Sequence, residues 1–274
     1  MKMLLSTLLQ ELEANHPAVL CTIAASHGST PRGAGAKMLV LEDGKTVGTI
    51  GGGEVEYRAA QQAARLLAET RSGAETYRLS AEGPLGMVCG GEVEVLFQYF
   101  SPEDGEKARA LASEEETRVF LFGGGHVARA LTQVLALAEF SVEVWDDRPG
   151  MAAEEFFPDA AVCRCGPYPG ALEGLPAMTE EDFVVVMTHG HQADFEVLSQ
   201  VLRTPVRYIG CIGSRGKAAA VRERLSAAGF TEEDIRRVHS PIGLPIGGKS
   251  PGEVAISVAA QMIACRSGRL EAFR

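Results

Sequence analysis

Cys89 is the residue whose type and surroundings most suggest ligand chemistry. It lies in a glycine-rich segment, residues 83–91, and not in the apolar periodicity of a strand or helix. A structural cysteine usually packs among valines and leucines, whereas a thiol between glycines is open to a ligand. The pattern predicts a functional thiol at Cys89 with Gly90 beside it, and a packing role is the alternative.

Three further segments combine turn residues, helix starts and cations in ways that suit an anion. Residues 51–53 are three glycines before a helix that begins near Glu54, and a second glycine loop spans residues 27–36. In residues 210–217 a serine N-cap is followed by two cations in the first helical turn, where positive charge opposes the helix dipole unless an anion is bound. We therefore expect phosphate or pterin contacts from Arg32, Gly52, Gly53, Ser214, Arg215 and Lys217; for the cations, a solvated surface is the alternative.

The segment from Gly123 to Ala128 follows an apolar strand and matches the fingerprint G-x-G-x-x-G/A. In such a turn, glycine lets a phosphate approach the free N–H groups at a helix N-terminus. A second apolar strand ends at Asp146, roughly 20 residues on, where a carboxylate would meet a ribose hydroxyl. The pattern predicts a Rossmann-type unit in which Gly123, Gly125, His126 and Asp146 contact a nucleotide; the alternative is that the glycines only serve a tight turn.

Two histidines, His189 and His191, follow the predicted strand 183–187 at the edge where open α/β sheets place their ligands. Their spacing resembles the H-x-H-x-D-H string of binuclear metal hydrolases. Asp194 is one residue too far from His191, however, and Phe195 replaces the next histidine. His189 is therefore assigned to the ligand edge, and a metal-dependent hydrolase and a loop histidine bonded to backbone both stay open as alternatives.

Composition narrows the classes of partner. The chain has 274 residues and a formal net charge of −10, which argues against nucleic acid or an anionic membrane surface as the main partner. The N-terminus becomes polar too soon for a signal peptide, and no apolar run approaches membrane-spanning length. The expectation is a cytoplasmic protein with reduced cysteines.

Two domains are predicted by the order of the elements. A helix at residues 3–14, several strands and a hairpin over residues 37–50 indicate an N-terminal α/β domain over residues 1–100. Residues 101–117 are polar and rich in glutamate, and are predicted as a linker. Strands alternating with helices over residues 118–274 indicate a C-terminal Rossmann-like domain with a parallel sheet.

Four sets of segments, taken together, resemble the XdhC/CoxI family of accessory factors that serve molybdenum hydroxylases. The resemblance spans almost the whole chain and depends on the order and spacing of these segments, each weak alone. They are residues 28–32 with 51–53, residues 87–91, residues 188–191 with 209–217, and residues 239–248 with 250–251. Some relatives carry a cysteine after the glycine triplet, where this chain has Glu54.

The resemblance implies a non-catalytic carrier that binds molybdenum cofactor and delivers it to an apo molybdenum hydroxylase such as xanthine dehydrogenase. A soft thiolate suits an oxo- or sulfido-molybdenum centre, so Cys89 would contact the metal. Further partners would include a cysteine desulfurase and cofactor-synthesis proteins. A homodimer is expected only from the frequency of such dimers among soluble proteins, and not from the resemblance. An NAD(P)-dependent oxidoreductase, or another nucleotide in the Rossmann crevice, is the alternative that Gly123–Ala128 and Asp146 support.

Overall fold

The computed structural model describes residues 2–28, 30, 32–78, 91–114 and 116–273. The chain divides into two compact units, Met1–Glu115 and Glu116–Arg274. Cys89 and Gly90 lie outside the described residues, so the structure gives no account of them. Within the described residues, no helix is both long and apolar enough to cross a membrane.

The N-terminal unit contains a five-stranded antiparallel sheet in the order β3-β2-β1-β5-β4. Alternate residues of β1 face opposite sides, so Val19 and Cys21 pack under α2 while Ala18 and Leu20 pack under α1. The predicted hairpin is confirmed as β2 and β3. The elements are α1 (Lys2–Glu13), β1 (Ala18–His27), β2 (Lys37–Leu41), β3 (Thr46–Gly48), α2 (Gly53–Ala68), β4 (Gly73–Arg78), β5 (Glu92–Phe100) and α3 (Gly105–Glu114).

Helix α3 corrects the predicted linker at residues 101–117. Ser101 begins a short 3-10 turn, Pro102–Asp104, and α3 follows directly. Ala108 is fully buried in the same apolar cluster as Leu8 of α1. The polar composition misled the prediction because a helix that buries only one narrow stripe needs few apolar residues.

The C-terminal unit contains a six-stranded parallel sheet. Its order, β11-β10-β9-β6-β7-β8, is the doubly wound Rossmann arrangement, and the predicted fold class is confirmed. The elements are β6 (Thr117–Phe122), α4 (His126–Leu137), β7 (Phe140–Asp146), β8 (Val162–Cys165), β9 (Phe183–Val186), α5 (His191–Val201), β10 (Tyr208–Cys211), α6 (Arg215–Ala227), α7 (Glu232–Arg236), β11 (Val238–His239) and α8 (Pro251–Arg266).

Helices cover both faces of this sheet. Helices α4 and α8 pack on the face that includes Val119 and Val185, and helices α5, α6 and α7 pack on the face that includes Phe120 and Val184. Because both faces are buried, the central strands are continuously apolar; all four residues of β9 are fully buried. The strand ends, where the chain turns into helices, are therefore the places left for polar chemistry.

The segment after β11 is fastened to α8 by buried polar contacts. The Tyr208 hydroxyl donates to Gln261 Oε1 at 2.6 Å, and the Gly243 N–H donates to the same oxygen at 2.9 Å. The Ser257 hydroxyl donates to the Leu244 carbonyl at 2.6 Å. These bonds hold residues 243–244 against the helix, so this segment has a defined path although it contains little regular structure.

Candidate functional site

The site with the geometry of a ligand crevice lies where the strand order of the C-terminal sheet reverses, between β6 and β9. Ligands of open α/β sheets bind outside the carboxyl ends of the strands at this point. Gly123 and Gly124 form the turn after β6 because nothing larger fits. A Cβ on Gly123 would lie 2.3 Å from the Met187 carbonyl oxygen, and one on Gly124 would lie 2.3 Å from the Met151 carbonyl oxygen.

Gly125 and Gly190 differ from this pair, because a Cβ at either position would meet nothing within 4 Å. Gly125 is the N-cap of α4 and Gly190 is the N-cap of α5, and neither helix has a side-chain cap. The first N–H groups of a helix lack intrahelical acceptors and carry partial positive charge. Two uncapped helix ends with open backbone therefore flank the switch point, an arrangement suited to phosphate oxygens.

Asp146, which was predicted to contact a nucleotide, bonds within the protein in this structure. Its side chain is fully buried, and it accepts the Gly124 N–H at 2.7 Å and two bonds from the Arg148 guanidinium at 2.8 and 2.9 Å. Burial by itself would raise the pKa of this carboxyl, but the bonds from Arg148 and Gly124 outweigh it and hold the pKa below its usual range. Asp146 holds the glycine turn in place, and both of its oxygens already accept hydrogen bonds from the protein.

Asp147 is the carboxylate beside Asp146 that reaches the edge of the crevice. Its Oδ1 lies 3.6 Å from His189 Nδ1, and its side chain is 28% exposed. This oxygen is shielded from solvent and has no hydrogen-bond partner among the described residues. His189 therefore lies beside Asp147, and its contact with a ligand stays a prediction.

The structure gives no support to a metal site at His189 and His191. Among the described residues, no three His, Cys, Asp or Glu side chains are grouped so that they could hold a metal ion. His191 is exposed at the first position of α5, and Asp194 points into the protein. The two-residue spacing of the histidines therefore lacks the further ligands that a metal hydrolase requires.

Lys217 was predicted to contact a phosphate or pterin, and in this structure its charge is engaged inside the protein. Its ammonium forms an ion pair with Asp194, whose side chain is fully buried, while Lys217 is 20% exposed. The Thr188 hydroxyl donates to the other oxygen of Asp194 at 2.5 Å. A side chain on Gly213 would meet the Lys217 stem at 3.0 Å, so glycine there lets the lysine lie across the loop. The cation in the first turn of α6 is thus balanced internally.

The N-terminus of α6 is also capped. The Ser214 side chain accepts the Lys217 N–H, as the sequence predicted for an N-cap. Arg215 is exposed at the first helical position. Of the group predicted from residues 210–217, only Arg215 is therefore left with its charge toward solvent.

In the N-terminal unit, the glycine triplet surrounds an internal anion. Glu56 Oε2 accepts the Thr49 hydroxyl at 2.5 Å, the Gly52 N–H at 2.9 Å and the Ile50 N–H at 3.1 Å. Burial by itself would raise the pKa of Glu56, but these bonds hold it below its usual range. That Gly52 holds an external anion stays a prediction; in this structure its N–H is bonded to Glu56 of the chain itself.

The phosphate or pterin contacts expected of Gly53 and Arg32 stay predictions. Gly53 begins α2 with a positive φ of 64°, and Arg32 is exposed in the glycine loop.

The internal carboxylates Glu56 and Asp194 were missed for a shared reason. They lie in the first turns of α2 and α5, where an acid is usually interpreted as a favourable contact with the helix dipole. An acid within four residues of a glycine turn is the signal that could have identified Glu56.

Comparison with known proteins adds independent findings. The model of the XdhC Rossmann domain matches residues 119–262, and the model of the XdhC and CoxI family matches residues 11–78. The Escherichia coli uncharacterized protein YqeB is 33% identical over 92% of this chain, which spans only 44% of that protein's length. The Escherichia coli molybdenum cofactor insertion chaperone PaoD is 20% identical over 94% of this chain and 86% of its own. A crystal structure named as a xanthine dehydrogenase, from Bacillus halodurans, matches with a TM-score of 0.77 and 25% identity, covering 98% of this chain and 97% of that one.

Replacing Lys217 tests whether its charge is structural. Lys217→Met keeps the stem but leaves Asp194 buried without its cation, so the free energy of unfolding of the C-terminal unit should fall by about 3 kcal/mol. Urea unfolding followed by the fluorescence of Trp145, the single tryptophan, measures this. Arg215→Met, two residues away and exposed, is the control and should change stability little. Equal stability of the two variants would contradict the internal ion pair.

Glu56→Gln tests the internal anion of the N-terminal unit. Because the folded-state pKa of Glu56 is lowered, its contribution to stability is full above its ordinary pKa and is lost as the pH falls through the lower folded value. The variant should melt at a lower temperature than the parent at neutral pH, and the difference should shrink in acid. Calorimetry of the full chain checks this, with Glu54→Gln as the control from the same helical turn. A difference that is independent of pH would refute the role.

Proposed function

The chain belongs to the XdhC and CoxI family, and we propose that it is an accessory protein that binds molybdenum cofactor and delivers it to an apo molybdenum hydroxylase of the xanthine dehydrogenase type. The names of the chaperone PaoD and of the Bacillus halodurans xanthine dehydrogenase support this role. In this proposal the cofactor is cargo, and the chain itself performs no covalent step.

The observation that carries the proposal is the pair of uncapped helix ends at the switch point. The other two helix starts that were predicted to hold anions already have internal partners: Glu56 accepts N–H groups at α2, and Ser214 caps α6 while Lys217 pairs with Asp194. Gly125 and Gly190 leave open space at α4 and α5. The phosphate group that a molybdopterin carries fits this place, because free N–H groups and the helix dipole both favour an anion there.

The residues around the crevice would have distinct tasks. The first N–H groups of α4, from Gly125 to His126, would hold the phosphate. The carboxylate of Asp147, whose side chain is 28% exposed, would accept a hydroxyl or ring N–H of the cargo. His189 is 46% exposed beside it and would supply a second polar contact. Hydrogen bonds of this kind hold a ligand reversibly, which is what delivery to another protein requires.

We assign the contact with molybdenum to Cys89. A thiolate is a soft ligand, and such ligands suit the metals of oxo- and sulfido-centres. Sulfuration of the cargo would need a sulfur donor, such as a cysteine desulfurase, and the carrier role does not depend on that step. An NAD(P)-dependent oxidoreductase is not favoured, because Asp146, the residue that was expected to meet the ribose, is buried and bonded to Gly124 and Arg148.

The thiol assignment is tested with molybdopterin cofactor freshly released from a molybdoenzyme under anaerobic conditions. The parent chain should bind it, and Cys89→Ala should weaken binding at least tenfold in ultrafiltration or calorimetric titration. Cys165→Ala is the matched control, because Cys165 is exposed in the C-terminal unit. Undiminished binding by Cys89→Ala would remove the thiol from the site, and absence of binding by the reduced parent chain would overturn the carrier role.

Gly125→Ser tests the helix end separately from the thiol. The backbone at Gly125, with φ −75° and ψ −177°, accepts serine, and a Cβ there meets nothing, so folding stability should be unchanged or a few tenths of a kcal/mol higher. The serine oxygen would take the N–H groups meant for the phosphate, and affinity for the same molybdopterin preparation should fall about tenfold. Gly216→Ser, in the first turn of the capped helix α6, is the control. If only the control variant lost affinity, the phosphate site would move to α6.

A further inference from the structure

A pocket with a volume of about 210 Å³ opens between helices α6 and α7 and the strands β10 and β11. It lies one strand beyond the switch point, toward the β11 edge of the sheet. Its walls are mainly apolar and include Val221 and Leu225 of α6 and Ile235 of α7. The Cys211 side chain also lines it; burial raises the pKa of this thiol to about 12, so it presents an uncharged, polarisable surface.

Two features leave this space open: the shortness of β11 and the small side chain of Ala218 on α6. Strand β11 has two residues, and its pairing with β10 covers Ile209 and Gly210 but not Cys211. On the other side, α6 presents Ala218 where a leucine would reach the space. Interiors of proteins are otherwise packed as densely as organic crystals, with few voids larger than a water molecule. The short strand and the small side chain therefore leave room for a small ligand at this place.

The volume limits the ligand to a single ring. An apolar cavity of about 150 Å³ is known to bind benzene, so about 210 Å³ admits a six-membered ring with one small substituent. A fused multi-ring pterin with its phosphate side chain is larger than this. The pocket is therefore not a second place for the proposed cargo.

Arg222 determines the charge that the substituent should carry. It lines both the pocket and a shallow groove between α6 and α7. Its guanidinium is paired with Glu232, but both side chains are more than half exposed, and such pairs are weak. An anionic group at the mouth can therefore compete with Glu232 for the guanidinium, and Ser240 is part of the same lining.

We propose that this pocket is a binding site for a small aromatic carboxylate, with the ring between α6 and β10 and the carboxylate on Arg222. The ring replaces water against apolar walls, and the charge-assisted hydrogen bonds orient it. The lining of this site contains none of the residues that form the crevice at Gly125. Its occupation is therefore independent of the carrier role proposed above.

Benzoate is the probe, titrated into the full chain with benzyl alcohol as its uncharged counterpart. Methyl resonances of Val221, Leu225 and Ile235 should shift on addition of benzoate, with a dissociation constant on the order of 1 mM. Those of Ile256 and Ile263, which are exposed on α8, should not shift. No shift of the pocket methyls at 10-fold higher benzoate, roughly 10 mM, would overturn the proposal.

Three variants test the binding of the aromatic ring and the binding of the carboxylate separately. Ala218→Leu fills the pocket and should abolish the benzoate shifts, whereas Ala220→Leu, an exposed position of the same helix, should leave them unchanged. Arg222→Met should weaken benzoate about tenfold while benzyl alcohol binds as before. Benzoate binding that survives Ala218→Leu, or that is equally weakened by Ala220→Leu, would show that the ring lies elsewhere. Should Ala218→Leu fail to fold, the shift pattern in the parent chain still decides the location.

Discussion

The close approach of backbone segments at Gly123 and Gly124 is the constraint on which the C-terminal unit depends. Each glycine lies where a Cβ would be 2.3 Å from a carbonyl oxygen of another segment, Met187 after β9 or Met151 after β7. Without side chains, the turn after β6 closes tightly, and the Gly124 N–H can reach Asp146. Strands β6, β7 and β9 are thereby joined at their carboxyl ends. The open backbone at Gly125, one residue later, then lies above the switch point.

Internal carboxylates decide which of the chain's many glycine turns are open to a ligand. Glu56 accepts N–H groups of the glycine triplet, Asp146 accepts the Gly124 N–H inside the fingerprint turn, and Asp194 neutralises Lys217. Each takes a donor or cation that an external anion would otherwise use, and for Glu56 and Asp146 the lowered pKa keeps the carboxylate charged. In an acidic protein, this leaves a small number of places where phosphate is favoured over the protein's own acids.

Elements that depend on local sequence patterns were predicted correctly in both units, and an element that depends on a distant contact was not. The hairpin at β2 and β3 and the strand-turn-helix of β6 and α4 were predicted because turn glycines and apolar alternation act within a few residues. The helix Gly105–Glu114 was predicted as a linker because its burial depends on Leu8 of α1, which is about a hundred residues away. Composition alone cannot report a partner so distant in the chain.

The sequence by itself determined the family, the α/β class, the Rossmann unit and the glycine positions, because each depends on residue type and short-range spacing. Tertiary structure decided which of these residues are free for a ligand. Asp146 meets Gly124 across 22 residues, and Lys217 meets Asp194 from another strand-to-helix loop. Such contacts follow from the order of strands in the sheet, and burial makes them strong. Residues with similar sequence patterns for anion binding therefore differ in the folded chain. Gly52, Asp146 and Lys217 form bonds within the protein, whereas Gly125 and Gly190 leave the helix ends open.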